Sequence, residues 1–209
     1  MNTMQPIVTT GTEEQLEARR KATGRQCGSC TMCCYILGVD APPDVSKPPD
    51  VWCKHCKPSK GCAIYERRPM PCRHFYCQWL LDLSLDDLWY PARSKIVINL
   101  ASNPDGSNAG LVFEVDPRRP DHWLQHPYVQ RISNLALLYR GTTVRVGNHW
   151  YMLVPRNTHI TLGSGVAKII PGKIGPGYIQ TAMGDFEWIE VVPTDEARNR
   201  MNSCRPTCP

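Results

Sequence analysis

The sequence predicts an α+β fold: an irregular, cysteine-rich N-terminal module, followed by a small antiparallel-sheet region with one or two helices. Three observations predict it. Nine of the 11 cysteines lie between Cys27 and Cys77, prolines interrupt the same stretch, and the C-terminal half carries strand and helix periodicities. A chain of 209 residues has room for a small cysteine-rich unit joined to a modest second domain. We therefore expect an N-terminal helix or arm over residues 1–24, the cysteine module over 25–82, an α+β region with hairpins over 83–193 and a tail over 194–209.

The first predicted element is a short polar helix that begins after Thr12. Thr12 and Gln15 form a capping box, in which the Thr12 hydroxyl accepts from the Gln15 amide and the Gln15 side chain accepts from the Thr12 amide. The helix is expected to run to about Ala22 and to end at Gly24. The cysteine module follows, and the prolines of Ala41-Pro42-Pro43 and Lys47-Pro48-Pro49 exclude a regular helix or a central strand there, because proline has a fixed φ angle and no amide donor.

The C-terminal half carries the periodicities of helices and several strands. Ser84 is expected to cap a short helix over Leu85 to Trp89 that Pro91 stops. Pro127 suits the first turn of an amphipathic helix that Gly141 terminates; its apolar face would hold Val129, Ile132, Leu135, Ala136 and Tyr139. The predicted strands are Lys95 to Leu100, Leu111 to Val115, Thr142 to Val146 and His149 to Val154 around the hairpin signal Gly147-Asn148, Val166 to Ile170, Tyr178 to Met183 and Phe186 to Val192.

The cysteines are spaced as metal ligands, in the order C-x2-C-x2-C-C, C-x2-C, a lone cysteine and C-x4-C. Thiolates are soft ligands that select zinc or iron–sulfur clusters over hard cations. The three-residue steps from Cys27 to Cys33 resemble a ferredoxin-type run, whereas Cys53-Lys54-His55-Cys56 is a zinc-type knuckle, so the spacing leaves the metal open. Because prolines break this stretch, we expect metal to take the place of a core, which would make the module metal-stapled.

Nine thiols allow one or two centres, and all nine are predicted ligands: Cys27, Cys30, Cys33, Cys34, Cys53, Cys56, Cys62, Cys72 and Cys77. Adjacent Cys33 and Cys34 rarely give both sulfurs to one mononuclear metal, so one thiol is spare. One centre would combine Cys27, Cys30 and either Cys33 or Cys34 with Cys77. The other would use Cys53, Cys56, Cys62 and Cys72. His55 and His74 could substitute as ligands, but a histidine beside ligand cysteines more often donates to a ligand or faces solvent. The tail thiols, Cys204 and Cys208, are expected to stay free.

Composition and charge narrow the class of protein. The apolar runs are far shorter than the roughly 20 residues that cross a bilayer, and the N-terminus has no signal-peptide pattern. We therefore expect a cytoplasmic, reducing location, where crowded thiols bind metal rather than form disulfides. The formal net charge is +5, and two four-thiolate zinc sites would lower it to about +1. The basic residues form no continuous stripe, so no nucleic-acid partner is expected.

The sequence around the cysteines resembles a known bacterial family, the YkgJ-like cysteine-cluster proteins, described as zinc- or iron-chelating. The stretches that carry the resemblance lie within about residues 25 to 80 and are Cys27-x2-Cys30-x2-Cys33-Cys34 and Gly61-Cys62-Ala63-Ile64-Tyr65-Glu66-Arg67-Arg68-Pro69-Met70-Pro71-Cys72-Arg73-His74-Phe75-Tyr76-Cys77. The resemblance implies chelation by Cys27, Cys30, Cys33, Cys34, Cys62, Cys72 and Cys77. Cys53 and Cys56 are additions to the shortest family pattern. One branch, the flagellin lysine methylases, uses S-adenosylmethionine, but no glycine-rich strand-to-helix loop for that cofactor is present here.

The leading prediction is an intracellular protein that holds zinc or an iron–sulfur centre through clustered thiolates, with the C-terminal half as a platform or protein-partner surface. Two alternatives stay open: an iron–sulfur oxidoreductase or electron carrier, and a disulfide-stabilised structural protein of an assembled particle. No base and carboxylate are spaced for catalysis, so we expect no enzyme; if it is one, it is an iron–sulfur-dependent oxidoreductase or a transferase. Around the thiols, we expect Ile64, Tyr65 and Phe75 to exclude water. Arg67, Arg68 and Arg73 either offset the negative charge of the thiolates or are simply exposed at the surface.

Overall fold

The structure, a computed structural model, describes residues 12–102, 108–139, 141–155, 167–170 and 186–193. It contains both helices and sheets, which confirms the α+β class. The described residues divide into two compact units, one that ends at Leu100 and one that begins at Ala101. In the described part of the chain, no helix is long and apolar enough to cross a membrane.

Helix α1, Glu13–Thr23, begins with the predicted capping box. The Gln15 amide donates to the Thr12 hydroxyl over 3.4 Å, and the Thr12 amide donates to the Gln15 side chain over 2.9 Å. Gly24 ends the helix in the left-handed region, with φ at 69°, and its amide donates to the Lys21 carbonyl. The helix buries none of its residues, so its position depends on polar contacts.

The cysteine module consists of short elements, as its prolines predict. These are α2 Met32–Ile36, the pair β1 Val39–Ala41 and β2 Val45–Lys47, the pair β3 Cys56–Lys57 and β4 Gly61–Cys62, α3 Met70–Arg73 and α4 Gln78–Leu81. A 3₁₀ turn covers Tyr65–Arg67. The longest of these elements has five residues. The chain path between the cysteines is therefore set by turns and two-stranded ribbons.

The same unit nevertheless buries many apolar side chains, which the sequence argument did not anticipate when it assigned metal to the place of a core. Its members include Met32, Ile36, Leu37, Val45, Trp79, Leu80, Leu81, Leu85 and Trp89, each at most 9% exposed. Several of them belong to elements of four or five residues, so no helical or strand periodicity marks them in the sequence. Burial of apolar side chains thus helps to stabilise the unit that contains the thiols.

The segment after α4 differs in detail from its prediction. Asp86, not Ser84, caps a 3₁₀ turn over Asp87–Trp89, since its carboxylate accepts from the Leu88 amide over 3.1 Å. Pro91 begins helix α5, Pro91–Ser94, instead of stopping a helix. This is the usual place for proline, because the first helical residue has no intrahelical partner for its amide.

Among the described residues, six strands form the main sheet in the order β5-β6-β7-β8-β10-β9. They are β5 Ile96–Ser102, β6 Asn108–Val115, β7 Thr143–Val146, β8 His149–Pro155, β9 Ala167–Ile170 and β10 Phe186–Pro193. The predicted strands and the hairpin at Gly147-Asn148 are confirmed where they are described. The strand predicted over Tyr178 to Met183 and most of the turn over residues 102–108 lie outside the described residues.

One strand pair corrects the prediction of an antiparallel sheet. Strands β6 and β7 are parallel, with Phe113 opposite Val144, whereas β7 with β8, β8 with β10 and β10 with β9 are antiparallel. Between β6 and β7 the chain forms helix α6, Tyr128–Leu138, which the sequence predicted. A connection that contains a helix returns the chain to the end where the first strand began, and a parallel pair results.

The core of the sheet region is apolar and aromatic. Phe113, Ile132 and Val144 have no exposed surface, and the rings of Trp123 and Trp188 meet edge to face at 5.2 Å between centroids. The Trp188 indole donates to the Ser133 hydroxyl over 3.1 Å. The region therefore has a conventional core.

Candidate metal centre

The first cysteine segment is a tight loop that leads into a short helix. The Cys30 amide donates to the Cys27 carbonyl over 2.9 Å, and Gly28 between them has a φ of +53°, which favours glycine. The Tyr90 hydroxyl donates to the Cys27 carbonyl over 3.0 Å and fixes the start of the loop. Cys33 and Cys34 lie in α2. Four thiols thus occupy eight consecutive residues with little conformational freedom.

The second cysteine segment folds back onto the first. The Cys53 amide donates to the Cys34 carbonyl over 3.0 Å, and the Cys56 amide donates to the Cys53 carbonyl over the same distance. Strand pairing then places Cys56 opposite Cys62. Cys72 lies in α3, and Cys77 precedes α4 directly. Main-chain bonds between residues far apart in sequence therefore bring the two segments together.

The thiols act on one another electrostatically, and the pattern defines two groups. The hydrogen bond with Cys34 is the largest cause that raises the pKa of Cys33, and burial is the largest for Cys77; Cys27 and Cys30 add a smaller increase to both. We call these four thiols the first cysteine group: Cys27, Cys30, Cys33 and Cys77. Cys53 raises the pKa of Cys56, Cys62 and Cys72, and these four form the second cysteine group: Cys53, Cys56, Cys62 and Cys72.

Cys34 lies between the two groups. It hydrogen-bonds to Cys33 on one side and to Cys56 on the other, and it raises the pKa of thiols in both groups. The hydrogen bond from Cys33, together with smaller contributions that include Lys47 and Arg68, lowers the pKa of Cys34 to about 7. The same bond, with burial, holds the pKa of Cys33 well above its ordinary value. Sequence reasoning predicted that these two neighbours differ but not which of them lies between the groups.

Most of the other thiols are protonated at neutral pH. Burial raises the pKa of Cys30 and Cys72 to about 11 and that of Cys56 and Cys77 to about 12. Cys77 is buried, and the other eight thiols in the described residues are partly exposed. A buried thiol prefers its neutral form because the thiolate loses hydration. A bound cation reverses this preference, since coordination deprotonates a thiol.

Backbone amides already oppose this effect of burial at three sulfurs. The amides of Met32, Ile64 and Trp79 hydrogen-bond to the side chains of the cysteines two residues before them: Cys30, Cys62 and Cys77. Each bond favours the thiolate and lowers the pKa. Amide donors to sulfur also tune metal–thiolate centres and fix the orientation of the ligand. The turns that hold these cysteines therefore suit a metal-bound thiolate.

Two cations lie beside the thiols. Lys47 is 8% exposed, and its ammonium donates to the carbonyls of Tyr35 and Pro48 over 3.1 Å each and to that of Leu37. Its charge lowers the pKa of Cys34. Sequence reasoning missed Lys47, because a lysine between a serine and two prolines reads as part of a solvated loop. Arg68 is the second cation, and its contacts are taken up below.

Other predicted neighbours of the thiols have different roles. The His74 imidazole Nε2 lies 2.6 Å from the Glu13 carboxylate on α1. This ring nitrogen therefore contacts a helix and not a thiol. Ile64 and Phe75 are half-buried, but Tyr65 is 42% exposed and does not exclude water as predicted. Cys204 and Cys208 lie outside the described residues.

The nine thiols are neighbours without forming a finished ligand set. All nine cysteines in the described residues are free thiols. In the same part of the chain, no group of three or more histidine, cysteine, aspartate or glutamate side chains has the spacing of a metal site. Thiols change one another's pKa over distances longer than those between the ligands of one metal ion. Their electrostatic coupling is therefore compatible with the lack of a group that has the spacing of a metal site. The donor set itself, thiol sulfur, fits zinc or iron–sulfur chemistry.

Comparisons with protein-family models, with curated proteins and with solved structures gave no match. The assignment of a function therefore depends on the geometry and chemistry of the cysteine groups.

Proposed function

We propose that this chain is a metal-binding protein that holds zinc or an iron–sulfur centre through its clustered cysteine thiolates. One observation carries the proposal: a main-chain hydrogen bond joins Cys53 to Cys34, and the nine free thiols of residues 27–77 act on one another electrostatically. Crowded thiolates repel one another unless a cation neutralises them, and soft metal ions are the cations that thiolates bind best. Membership of the YkgJ-like family, which we propose from the cysteine pattern alone, would imply the same function.

The arrangement favours metal over disulfides. Three sulfurs receive backbone amide bonds that stabilise a thiolate, and a disulfide sulfur has no negative charge for such bonds to stabilise. A reducing, cytoplasmic location would keep the thiols available. The proposal assigns no reaction, and it gives the sheet region the role of a platform or a surface for a protein partner.

The deciding experiment is elemental analysis for zinc, iron and acid-labile sulfide on anaerobically purified protein. We expect one or two zinc ions per chain, or iron and sulfide in cluster ratio with absorbance near 400 nm. The variants Cys30→Ser and Cys72→Ser should lower the metal content. The matched control is the double variant Cys204→Ser with Cys208→Ser, which should leave it unchanged. Protein that contains no metal and cannot be reconstituted with zinc or iron and sulfide would contradict the proposal.

A second experiment tests whether there are two centres. Cys53 and Cys56 belong only to the second cysteine group, so the double variant Cys53→Ser with Cys56→Ser should remove one centre and spare the other. The metal content per chain should fall by about half, with the remaining metal bound as in the wild type. A single mononuclear metal or one cluster in fully reconstituted wild-type protein would rule out the two-centre arrangement.

A further inference from the structure

Arg68 is held from three directions next to the thiols. Its Nε donates to the Tyr65 carbonyl over 2.9 Å, and one terminal nitrogen donates to the Cys72 carbonyl over 3.2 Å. The guanidinium carbon lies 3.8 Å from the centroid of the Tyr65 ring, which is a cation–π contact. These three contacts fix both the position and the plane of the guanidinium group, so the positive charge is held in place before any ligand binds.

The bond to the Cys72 carbonyl places the guanidinium of Arg68 at a turn that carries a predicted metal ligand. Among the described residues, no carboxylate forms an ion pair with it. Arg20, by contrast, pairs with the Glu17 carboxylate at 2.6 Å.

The neighbouring arginine provides a contrast. Arg67 has an exposed side chain that contacts no other described residue through a hydrogen bond or ion pair. Sequence reasoning treated Arg67, Arg68 and Arg73 alike, because all three lie among the cysteines. Only the folded chain distinguishes the arginine that is clamped beside the sulfurs from the one that points into solvent.

We propose that Arg68 is a positioning residue of the metal centre, whose fixed guanidinium offsets the negative charge of metal-bound thiolates around Cys72. The inference rests on the proposed function. Four thiolates with one divalent ion carry a net charge of −2, and a partly buried negative charge is costly unless a cation accompanies it. Arginine suits this role because it stays charged at every physiological pH and its planar group binds two carbonyls at once.

The test compares three variants of the full chain after reconstitution with zinc, and the readout is zinc affinity in competition with a chromophoric chelator. Arg68→Met keeps an apolar stem over Tyr65 but removes the charge, and we expect it to weaken zinc binding about 10–100-fold, as removal of groups that support metal ligands does. Arg68→Lys keeps the charge and should restore most of the affinity. Arg67→Gln is the matched control and should bind zinc as the wild type does.

The outcomes separate charge from structure. Arg68→Met with wild-type affinity would overturn the inference and leave the proposed function intact. Arg68→Lys as weak as Arg68→Met would overturn it too, because the loss would then come from the carbonyl bonds. If Arg68→Met does not fold, Arg68→Lys decides alone: near-wild-type affinity supports the charge role, and a loss of about 10-fold or more contradicts it.

Two further results are distinguishable from these. If the wild type takes up only an iron–sulfur cluster, the reduction potential replaces affinity as the readout. Loss of the cation in Arg68→Met should then lower the potential and Arg68→Lys should restore it, whereas equal potentials would contradict the inference. A wild type that binds neither zinc nor a cluster would refute the proposed function, and the role of Arg68 with it.

Discussion

The cysteine module and the sheet region stabilise their buried charges in different ways. In the sheet region, Glu114 and Arg145 face each other on neighbouring parallel strands and form a buried ion pair, and Asp116 pairs with Arg118 at 2.7 Å. In the cysteine module, Arg68 binds the carbonyls of Tyr65 and Cys72 and the ring of Tyr65. The sheet region therefore contains these charged pairs complete, whereas Arg68 lies at a turn whose cysteine becomes an anion only when its thiol loses a proton.

The two regions also differ in the length of their elements. The sheet region has strands of up to eight residues and a helix of 11, while no element between Cys27 and Cys77 exceeds five. Long elements form many hydrogen bonds within themselves, and short ones depend on the contacts around them. We therefore expect the sheet region to be stable on its apolar core and the module to depend on metal, and each prediction below tests that difference.

Metal removal should give the largest effect. Structural zinc supplies apparent binding energies of about 10–16 kcal/mol in small thiolate sites, and residues 53–72 have the shortest elements of the module. A strong chelator under reducing conditions should therefore increase proteolysis between Cys34 and Cys72, while the hairpin of β7 and β8 stays protected. Unchanged cleavage of residues 53–72 after verified metal loss would show that this segment is ordered without metal.

Removal of a buried side chain from the core of the sheet region should give the next largest effect. Phe113 has no exposed surface, and removal of a buried phenylalanine side chain costs about 3–5 kcal/mol. Phe113→Ala should lower the free energy of unfolding of the sheet region, measured by urea titration of tryptophan fluorescence, without changing the metal content. Leu138→Ala is the control, since Leu138 is 62% exposed and should cost at most about 0.5 kcal/mol. Loss of metal in Phe113→Ala would mean that the regions are not independent.

The sheet region was the more predictable one from sequence. Alternating apolar residues, the hairpin signal Gly147-Asn148 and the helical spacing of Ile132 and Leu135 depend on near neighbours, so a linear pattern is enough to predict them. The parallel pairing of β6 with β7 was missed, because strand direction depends on the path of the whole connection. Pro91 was misread for a related reason, since proline can either end a helix or begin one.

The arrangement of the candidate site could not be predicted from the sequence. Spacing predicted nine ligand thiols, which stays a prediction, and it did not show that Cys34 lies between two groups or that Lys47 is buried beside it. These features follow from the Cys53 amide bond to the Cys34 carbonyl and from the ribbon that pairs Cys56 with Cys62. Such contacts join residues that no sequence period relates, so they become visible only in the folded chain.

A pH titration should give an effect of intermediate size, confined to the module. Burial raises the pKa of Cys30 and Cys72 to about 11, so metal must displace protons at neutral pH. Zinc affinity should therefore rise with pH between 6 and 8, by about tenfold per unit for each proton released. A pH-independent affinity, measured by chelator competition at constant ionic strength, would mean that the ligands are already thiolates.

The same shifts predict the alkaline behaviour of the metal-free protein. A folded-state pKa above the ordinary value of 9.0 means that the folded state binds the proton more tightly than the unfolded state. The stabilisation is fully present below pH 9 and is lost as the pH rises through 11 to 12. The metal-free module should thus lose protection from proteolysis above pH 9, whereas the metal-bound module should not. Equal alkaline sensitivity of both forms would contradict this sign.

Loss of the helix cap of α1 should give the smallest effect. It tests whether the cap or the contacts to α4 hold this helix against the module. The Thr12 hydroxyl accepts one amide bond in the first turn, and loss of such a cap costs about 1 kcal/mol. However, α1 also binds α4 through Arg19 and Thr23, which donate to the carbonyls of Leu81 and Leu80. Thr12→Ala should therefore increase hydrogen exchange only in the first turn, by about fivefold, while Thr12→Ser should exchange as the wild type does. Faster exchange along all of Glu13–Thr23 would show that the cap, and not the contacts to α4, holds the helix against the module.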